Sequence, residues 1–294
     1  MGDTPDRAII NHQSIHEDSG GATPPLSPEM AARELSQAAE IAREAGTVLL
    51  PYMASERMET RAKGDRDVVT AADMAAEALI RTRLAEAFPG DGMLGEEGTD
   101  VAASGQRCWC IDPLDGTLNF SRMLPIWCVS LALFEGSQPV LGVIHDPIRG
   151  ETFTAARGVG AFCDGLRIVT SGRSRLAEAF VHMTVDFHEG SMREGLEDLV
   201  ELAPRVYRTR NIGSAALALA YVAAGRFDAM MHRYANPWDY GAGVVLIEEA
   251  GGTVTNIAGD PYTLSDRSVV TASGSELHAA LLALVKPSRP SRLE

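Results

Sequence analysis

From Ala31 onward, apolar residues return at Leu35, Ala38, Ala42, Ala45 and Leu49, in steps of four and three. That spacing lines one face of an α-helix, with Ser27 and Pro28 placed to cap and open it. A second helical period runs through Ala72, Ala76, Leu79, Ile80, Leu84 and Phe88, with Thr70 as its cap. FPGDG then breaks the chain and the pattern changes. MLGEE and RCWCID read as short strands that end in acidic residues. PIWCVSLALFEG, PVLGVIHDP, ETFTAAR and AFCDG follow as strands punctuated by turns, which predicts a largely antiparallel meander. Past SGRSR, near residue 172, strand-like and helix-like stretches alternate: FVHMTVD, SMREGLEDLVELA, VYRTRN, GSAALALAYVAAG, FDAMMH, DYGAGVVLIEEAGG and SVVTAS. Alternation of that kind predicts a sheet with helices on both sides. The pattern divides the chain into a tail over 1–28, an α+β unit over 29–172 and an α/β unit over 173–294.

Composition narrows this picture. At 294 residues the chain has room for one large domain or for two units sharing a core. No apolar run approaches the ~20 residues a membrane helix needs. The opening stretch, MGDTPDRAIINHQSIHEDSGGATPPLSP, has no apolar signal core, and its polar, Gly- and Pro-containing character predicts a disordered tail. Net charge is −14, from 26 basic and 40 acidic residues. A chain this acidic is a poor ligand for nucleic acid or for an anionic membrane. The excess either serves solubility or gathers carboxylates in one place to bind cations. Cys108, Cys110, Cys128 and Cys163 form neither a CxxC pair nor a zinc spacing. They read as buried free thiols of a cytoplasmic protein, with Cys108 and Cys110 on one face of a strand.

The stretch WCIDPLDGTLNF, residues 109–120, concentrates the chemistry. Its LDGTL substring is similar to the nucleophile loop of the haloacid dehalogenase phosphatases. That chemistry needs DxDGT, however, and the residue two before Asp115 is Pro113, so the attacking carboxylate is missing. The spacing suits another arrangement. Asp112 ends a strand, and a Pro-Leu turn brings Asp115 back beside it, with the Leu114 carbonyl between them. Two carboxylates and a carbonyl make a hard-oxygen site suited to Mg²⁺. Gly116 and Thr117 then open a helix whose free N–H groups face an anion such as phosphate. An Asp-rich turn with an N-cap is the plain structural alternative.

DPLDGTLNF resembles the signature of the inositol monophosphatase family, lithium-sensitive and magnesium-dependent phosphomonoesterases. DVVTAAD at 67–73 and GEE at 95–97 are similar to its early segments. GSAALALAYVAAGRFDA at 213–229 and NPWDYGAG at 236–243 are similar to its late ones, so the resemblance runs from about residue 30 to 285. It implies a layered αβαβα sandwich of two sub-domains, a homodimer, and two or three Mg²⁺ ions. By the same resemblance Glu96, Asp112, Asp115, Asp239 and the Leu114 carbonyl hold metal. Glu96, Thr117 and Asp73 serve the attacking water, and Gly116 with Thr117 binds phosphate. Each acid alone has a plain structural role as well: Glu97 as a solvated neighbour, Asp73 as a cap or ion-pair partner, Asp239 as a cap of the helix from Tyr240. Lys63 lies where the family often carries a basic residue on a mobile loop.

The leaving group is less legible. Members acting on inositol phosphates usually carry an acid seven positions before the WD aspartate, and here that position is His232, followed by Arg233. Arg210 matches a basic family position, and Ser214 and Ala215 match the sugar-facing helix start. His232 is either a tolerated rim residue or, with Arg233 and Arg210, a wall that favours a second anionic group. The expected substrate is a small polyol, cyclitol or sugar phosphate. Inositol 1-phosphate leads, and histidinol phosphate, fructose 1,6-bisphosphate, 3′-phosphoadenosine 5′-phosphate or a specialised sugar phosphate follow. A catalytically weak binding or regulatory homologue is the alternative of another class.

Overall fold

The structure, a computed structural model, describes residues 27–53, 60–64, 67–97, 100–103, 105–185, 191–234 and 236–285. Most of the expected tail and the Lys63 side chain lie outside the described residues. In chain order the elements are α1 (Pro28–Met53), β1 (Thr60–Gly64), β2 (Asp67–Thr70), α2 (Ala71–Ala87), β3 (Gly92–Gly95), β4 (Arg107–Asp115) and α3 (Thr117–Ser121). β5 (Cys128–Glu135), β6 (Gln138–Asp146), β7 (Glu151–Ala156), β8 (Gly160–Cys163) and β9 (Leu166–Arg167) complete the first half. β10 (Phe180–Met183), α4 (Ser191–Leu202), β11 (Arg208–Arg210), α5 (Ala215–Ala223) and β12 (Ala229–His232) begin the second. α6 (Pro237–Glu249), β13 (Thr253–Thr255), β14 (Val269–Ala272) and α7 (Ser275–Leu282) end it.

β3 to β9 form a seven-stranded sheet in sequence order, antiparallel throughout except for the parallel pair β3 and β4. The meander expected from the turn pattern is therefore present. The second sheet has the order β11-β10-β12-β14-β13, with β10 parallel to both of its neighbours. Three apolar clusters define the layers. The α1 face of Leu35, Ile41 and Leu49 joins α2 and one side of the first sheet, including Trp109 and Ile111. Helices α5 and α6 fill the space between the two sheets. The outer side of the second sheet packs with Leu202 of α4 and with Leu277 and Leu281 of α7. This is the layered αβαβα sandwich. β5 and β6 are buried on both sides, which is why CVSLALF and PVLGVIHD read as continuous apolar runs rather than alternations.

The details differ from expectation where tertiary contacts decide. DPLD makes no reversing turn. β4 runs through to Asp115, with a register shift between Asp112 and Asp115 that bulges the strand and re-aims the second carboxylate. α6 starts at Pro237, not Tyr240, with Asn236 as its N-cap and Asp239 already in its first turn. β13 and α7 carry too few periodic residues to stand out in the sequence. All four cysteines are free, but only Cys110 and Cys128 are buried, since Cys108 and Cys163 lie near strand ends. Cys108 and Cys110 do share a face, towards the middle helical layer, while Trp109 faces α1 and α2. Among the described residues no helix is long and apolar enough to cross a membrane.

A candidate metal and phosphate site at the sheet edge

Because β3 and β4 are parallel, their C-terminal ends emerge at the same sheet edge. The Glu96 N–H donates to the Ile111 carbonyl at 3.2 Å, which sets Glu96 beside Asp112. Asp239 approaches from the first turn of α6. That helix lies close because it has no side chain where it meets its neighbours: a Cβ on Gly241 would strike the Phe134 ring at 2.6 Å, and one on Gly243 would overlap Leu219. The carboxyl of Asp112, 1% exposed, is pushed well above the ordinary aspartate range, first by burial and then by the charges of Glu96, Asp115 and Asp239. Four acids from three parts of the chain therefore converge electrostatically, and a buried cluster of like charge is costly unless a cation joins it.

The donor set is entirely oxygen, which fits a hard divalent ion. Among the described residues no three such groups stand close enough to enclose an ion. Two of the acids are instead turned onto local donors. Asp239 accepts the Asn236 N–H at 2.6 Å, and Asp112 accepts the Leu114 N–H at 3.0 Å. Asp115 accepts from the first turn of α5, from the Ser214 hydroxyl and from the Cys128 thiol.

Next to the acids, Thr117 Oγ1 lies 3.0 Å from the Leu114 carbonyl oxygen and 3.2 Å from Asp73 Oδ1. Its single proton has two acceptors to choose between. Asp73 is buried in the first turn of α2. Gly116 precedes α3 with φ +98°, in the left-handed region, and a Cβ there would meet the Ile126 and Gly213 carbonyls at 3.0 and 3.2 Å. Only glycine turns the backbone at that point without a clash.

Sequence reasoning missed three supporting residues. Asn119 Nδ2 donates to the carbonyls of Ile126 and Ile212, each at 2.8 Å, and so ties α3 to the loop that leads into α5. Buried Glu77 accepts the Glu97 N–H at 2.8 Å and pairs with Arg81 at 2.6 Å, which anchors the acidic turn. Glu97 itself is half-buried rather than solvated. The third is Cys128. The asparagine of DPLDGTLNF was available as a signal; the other two contacts cross 20 and 13 residues and leave no local pattern.

The expected substrate wall separates into parts. Ser214 is buried and gives its hydroxyl to Asp115, so it serves the acid rather than a sugar. Ala215 is half-buried beside it. His232, 7% exposed, lies edge-on to the Tyr240 ring at 5.7 Å. Arg210 is exposed, stacked over Phe180 at 5.3 Å, and is the strand partner of His182. Arg233 does not join them. It lies just past the end of β12, where the chain bends, and bonds Asp198 at 2.8 Å and Glu194 at 3.2 Å on α4. The expectation that Arg233 meets substrate is corrected accordingly.

His182, fully buried, accepts the Ile212 N–H at Nε2 over 3.2 Å, which places its own proton on Nδ1. Burial, with a smaller effect from His232, lowers its pKa to about 3. Its unfolded value is about 6.5, so the unfolded chain binds the extra proton between those limits. Stability due to neutral His182 is therefore complete above about pH 6.5 and is lost as pH falls towards 3. Denaturant titrations at pH 5.5 and 4.5 should show His182→Gln with a shallower loss than wild type, by up to about 1.4 kcal/mol per pH unit. Equal slopes would assign the acid sensitivity to other groups.

Known proteins match this arrangement. A sequence profile of the inositol monophosphatase family matches residues 31–289. An inositol-1-monophosphatase from Mesorhizobium japonicum is 39% identical over 235 residues, 79% of this chain and 88% of the relative. A fructose-1,6-bisphosphatase/inositol-1-monophosphatase from Thermotoga maritima is 36% identical over 237 residues, 80% of this chain and 89% of the relative. The crystal structure of the extragenic suppressor protein suhB from Bartonella henselae superposes with a TM-score of 0.82 at 34% identity, covering 86% of this chain and 98% of that one. With a match of that extent, the chain belongs to the inositol monophosphatase family of phosphoric monoester hydrolases.

Proposed function

We propose that the protein hydrolyses a small polyol, cyclitol or sugar phosphate by direct attack of water, with two or three Mg²⁺ ions held by Glu96, Asp112, Asp115, Asp239 and the Leu114 carbonyl. The observation that carries the reading is the Thr117 hydroxyl set between Asp73 and the Leu114 carbonyl, at the rim of the four-acid cluster. When bound, the ions lower the pKa of water and offset the charge of the phosphate. The remaining steps belong to the chain. Thr117 Oγ1 accepts a hydrogen bond from the attacking water while its own proton turns to Asp73 Oδ1, which orients the water and draws off its proton. The N–H groups of Gly116 and Thr117 hold phosphate oxygens. Water attacks phosphorus, the P–O ester bond breaks, and the departing oxygen takes a proton from solvent to leave as the alcohol.

Inositol 1-phosphate is the leading substrate, supported by the Mesorhizobium relative. The name of the Thermotoga relative favours fructose 1,6-bisphosphate as a second reading. The same reading takes the protein to be a Li⁺-sensitive, cytoplasmic homodimer. Phosphate release from a panel of phosphomonoesters, with and without Mg²⁺ and with Li⁺ added, tests the class. No turnover on any ester with Mg²⁺ present would favour the binding or regulatory alternative. On the same panel, His232→Glu should raise turnover of inositol 1-phosphate relative to the other esters by about tenfold, a fixed acceptor for ring hydroxyls having been added. An unchanged profile would remove His232 from the leaving-group wall.

A further inference from the structure

Asp115 sits on β4, but its carboxylate is bonded chiefly by residues about 100 positions later. The two oxygens are treated unequally. Oδ2 accepts the Ser214 hydroxyl, the Ala216 N–H at 2.8 Å, the Leu217 N–H at 3.4 Å and the Cys128 thiol at 3.5 Å. Among the described residues, Oδ1 accepts only the Ala215 N–H, at 3.0 Å. A carboxylate offers about four lone-pair sites, two on each oxygen. Oδ2 has none to spare, and Oδ1 keeps one.

We propose that Ser214 and Cys128 are positioning residues for Asp115: with the first turn of α5 they fill Oδ2 and present Oδ1 as the single oxygen offered to a cation. The inference rests on the metal-binding reading given above. It makes Asp115 a one-oxygen ligand. The same carboxylate anchors the start of α5, so the helix that begins the substrate wall and the metal site are held as one unit. Cys128 Sγ also lies 3.8 Å from Ser214 Oγ, so the two donors sit side by side while each gives its single proton to the acid. An ordinary helix cap would make no such demand on which oxygen stays open. If capping were the whole role, loss of Ser214 would cost stability and leave metal binding alone.

The test measures Mn²⁺ binding without substrate, by the electron paramagnetic resonance signal of free Mn²⁺. Melting of the metal-free protein is measured in parallel. Ser214→Ala should weaken the affinity of one class of Mn²⁺ sites by about tenfold or more, the size seen when a partner of a ligating group is removed. Cys128→Ala should weaken the same class by about threefold, and Cys128→Ser, which restores a donor, should recover most of it. A drop in melting temperature with unchanged Mn²⁺ isotherms in both alanine variants would overturn the proposal. Should Ser214→Ala fail to fold, the Cys128 pair decides alone: equal Mn²⁺ affinity for alanine and serine at 128 overturns it. If wild type takes up no Mn²⁺, the metal-binding reading falls and this proposal with it. If wild type binds and the variants bind equally well, only this proposal falls.

Discussion

Asp112→Asn is expected to lower Mg²⁺-dependent phosphate release by more than about a thousandfold, at least ~4 kcal/mol of transition-state stabilisation, while raising the melting temperature of the metal-free protein. The two changes have one cause. Asp112 is the buried acid on which the charges of Glu96, Asp115 and Asp239 converge. Without cations that charge destabilises the fold, and with them it supplies the central ligand. An asparagine keeps the volume and the acceptor for the Leu114 N–H, so the local strand geometry survives. The pH dependence has a matching sign. A carboxyl raised in the folded state contributes most to stability while protonated, so the metal-free wild type should lose stability as pH rises through and above the ordinary aspartate range. The variant should lose less. Calorimetry in chelator from pH 4 to 7, beside an assay in Mg²⁺, checks both. Activity surviving within about tenfold, or a lowered metal-free melting temperature, would remove Asp112 from the centre of the site.

The second large effect concerns the proton path. Asp73→Asn and Thr117→Val should each lower kcat by about 10²–10³-fold, with KM and Mn²⁺ affinity within about threefold of wild type. Both replacements are close to isosteric, and neither removes a cation ligand. A valine in place of Thr117 cannot hold a water. An asparagine in place of Asp73 can still accept from the Thr117 hydroxyl but no longer takes a proton from it. Because the two side chains share one hydrogen bond of 3.2 Å, the double variant should be little worse than either single one. Additive losses would mean that Thr117 and Asp73 act separately. A large loss of Mn²⁺ binding in Asp73→Asn would mean that Asp73 serves the metal site instead.

Much of the architecture was legible because single stretches carried it. The α1 face from Ala31 to Leu49 is buried as its period requires. The hairpin strands of the first sheet follow from apolar runs broken at turns. The change of rhythm near SGRSR falls between β9 and β10, where one sheet gives way to the other. The site was legible in its parts, since DPLDGTLNF, GEE and WD name the acids. What they do to one another was not. The bulge that re-aims Asp115 depends on pairing with β5, and the early start of α6 depends on Asn236 and Asp239 bonding each other.

Local periodicity was enough for the helices and hairpin strands, and the motifs carried the resemblance that implied the family and its layers, because both survive as patterns along one dimension. Assignments that turn on contact between distant segments waited for the folded chain. Folding gave Arg233 to Asp198 and Glu194, because the chain bends at the end of β12 beside α4. It gave Ser214 to Asp115 rather than to a sugar, because α5 starts where β4 ends in space, although 99 residues separate the two side chains. It gave Glu77 the task of holding the acidic turn. A hydrogen bond between such residues depends on their separation in space, and nothing in their sequence separation records it.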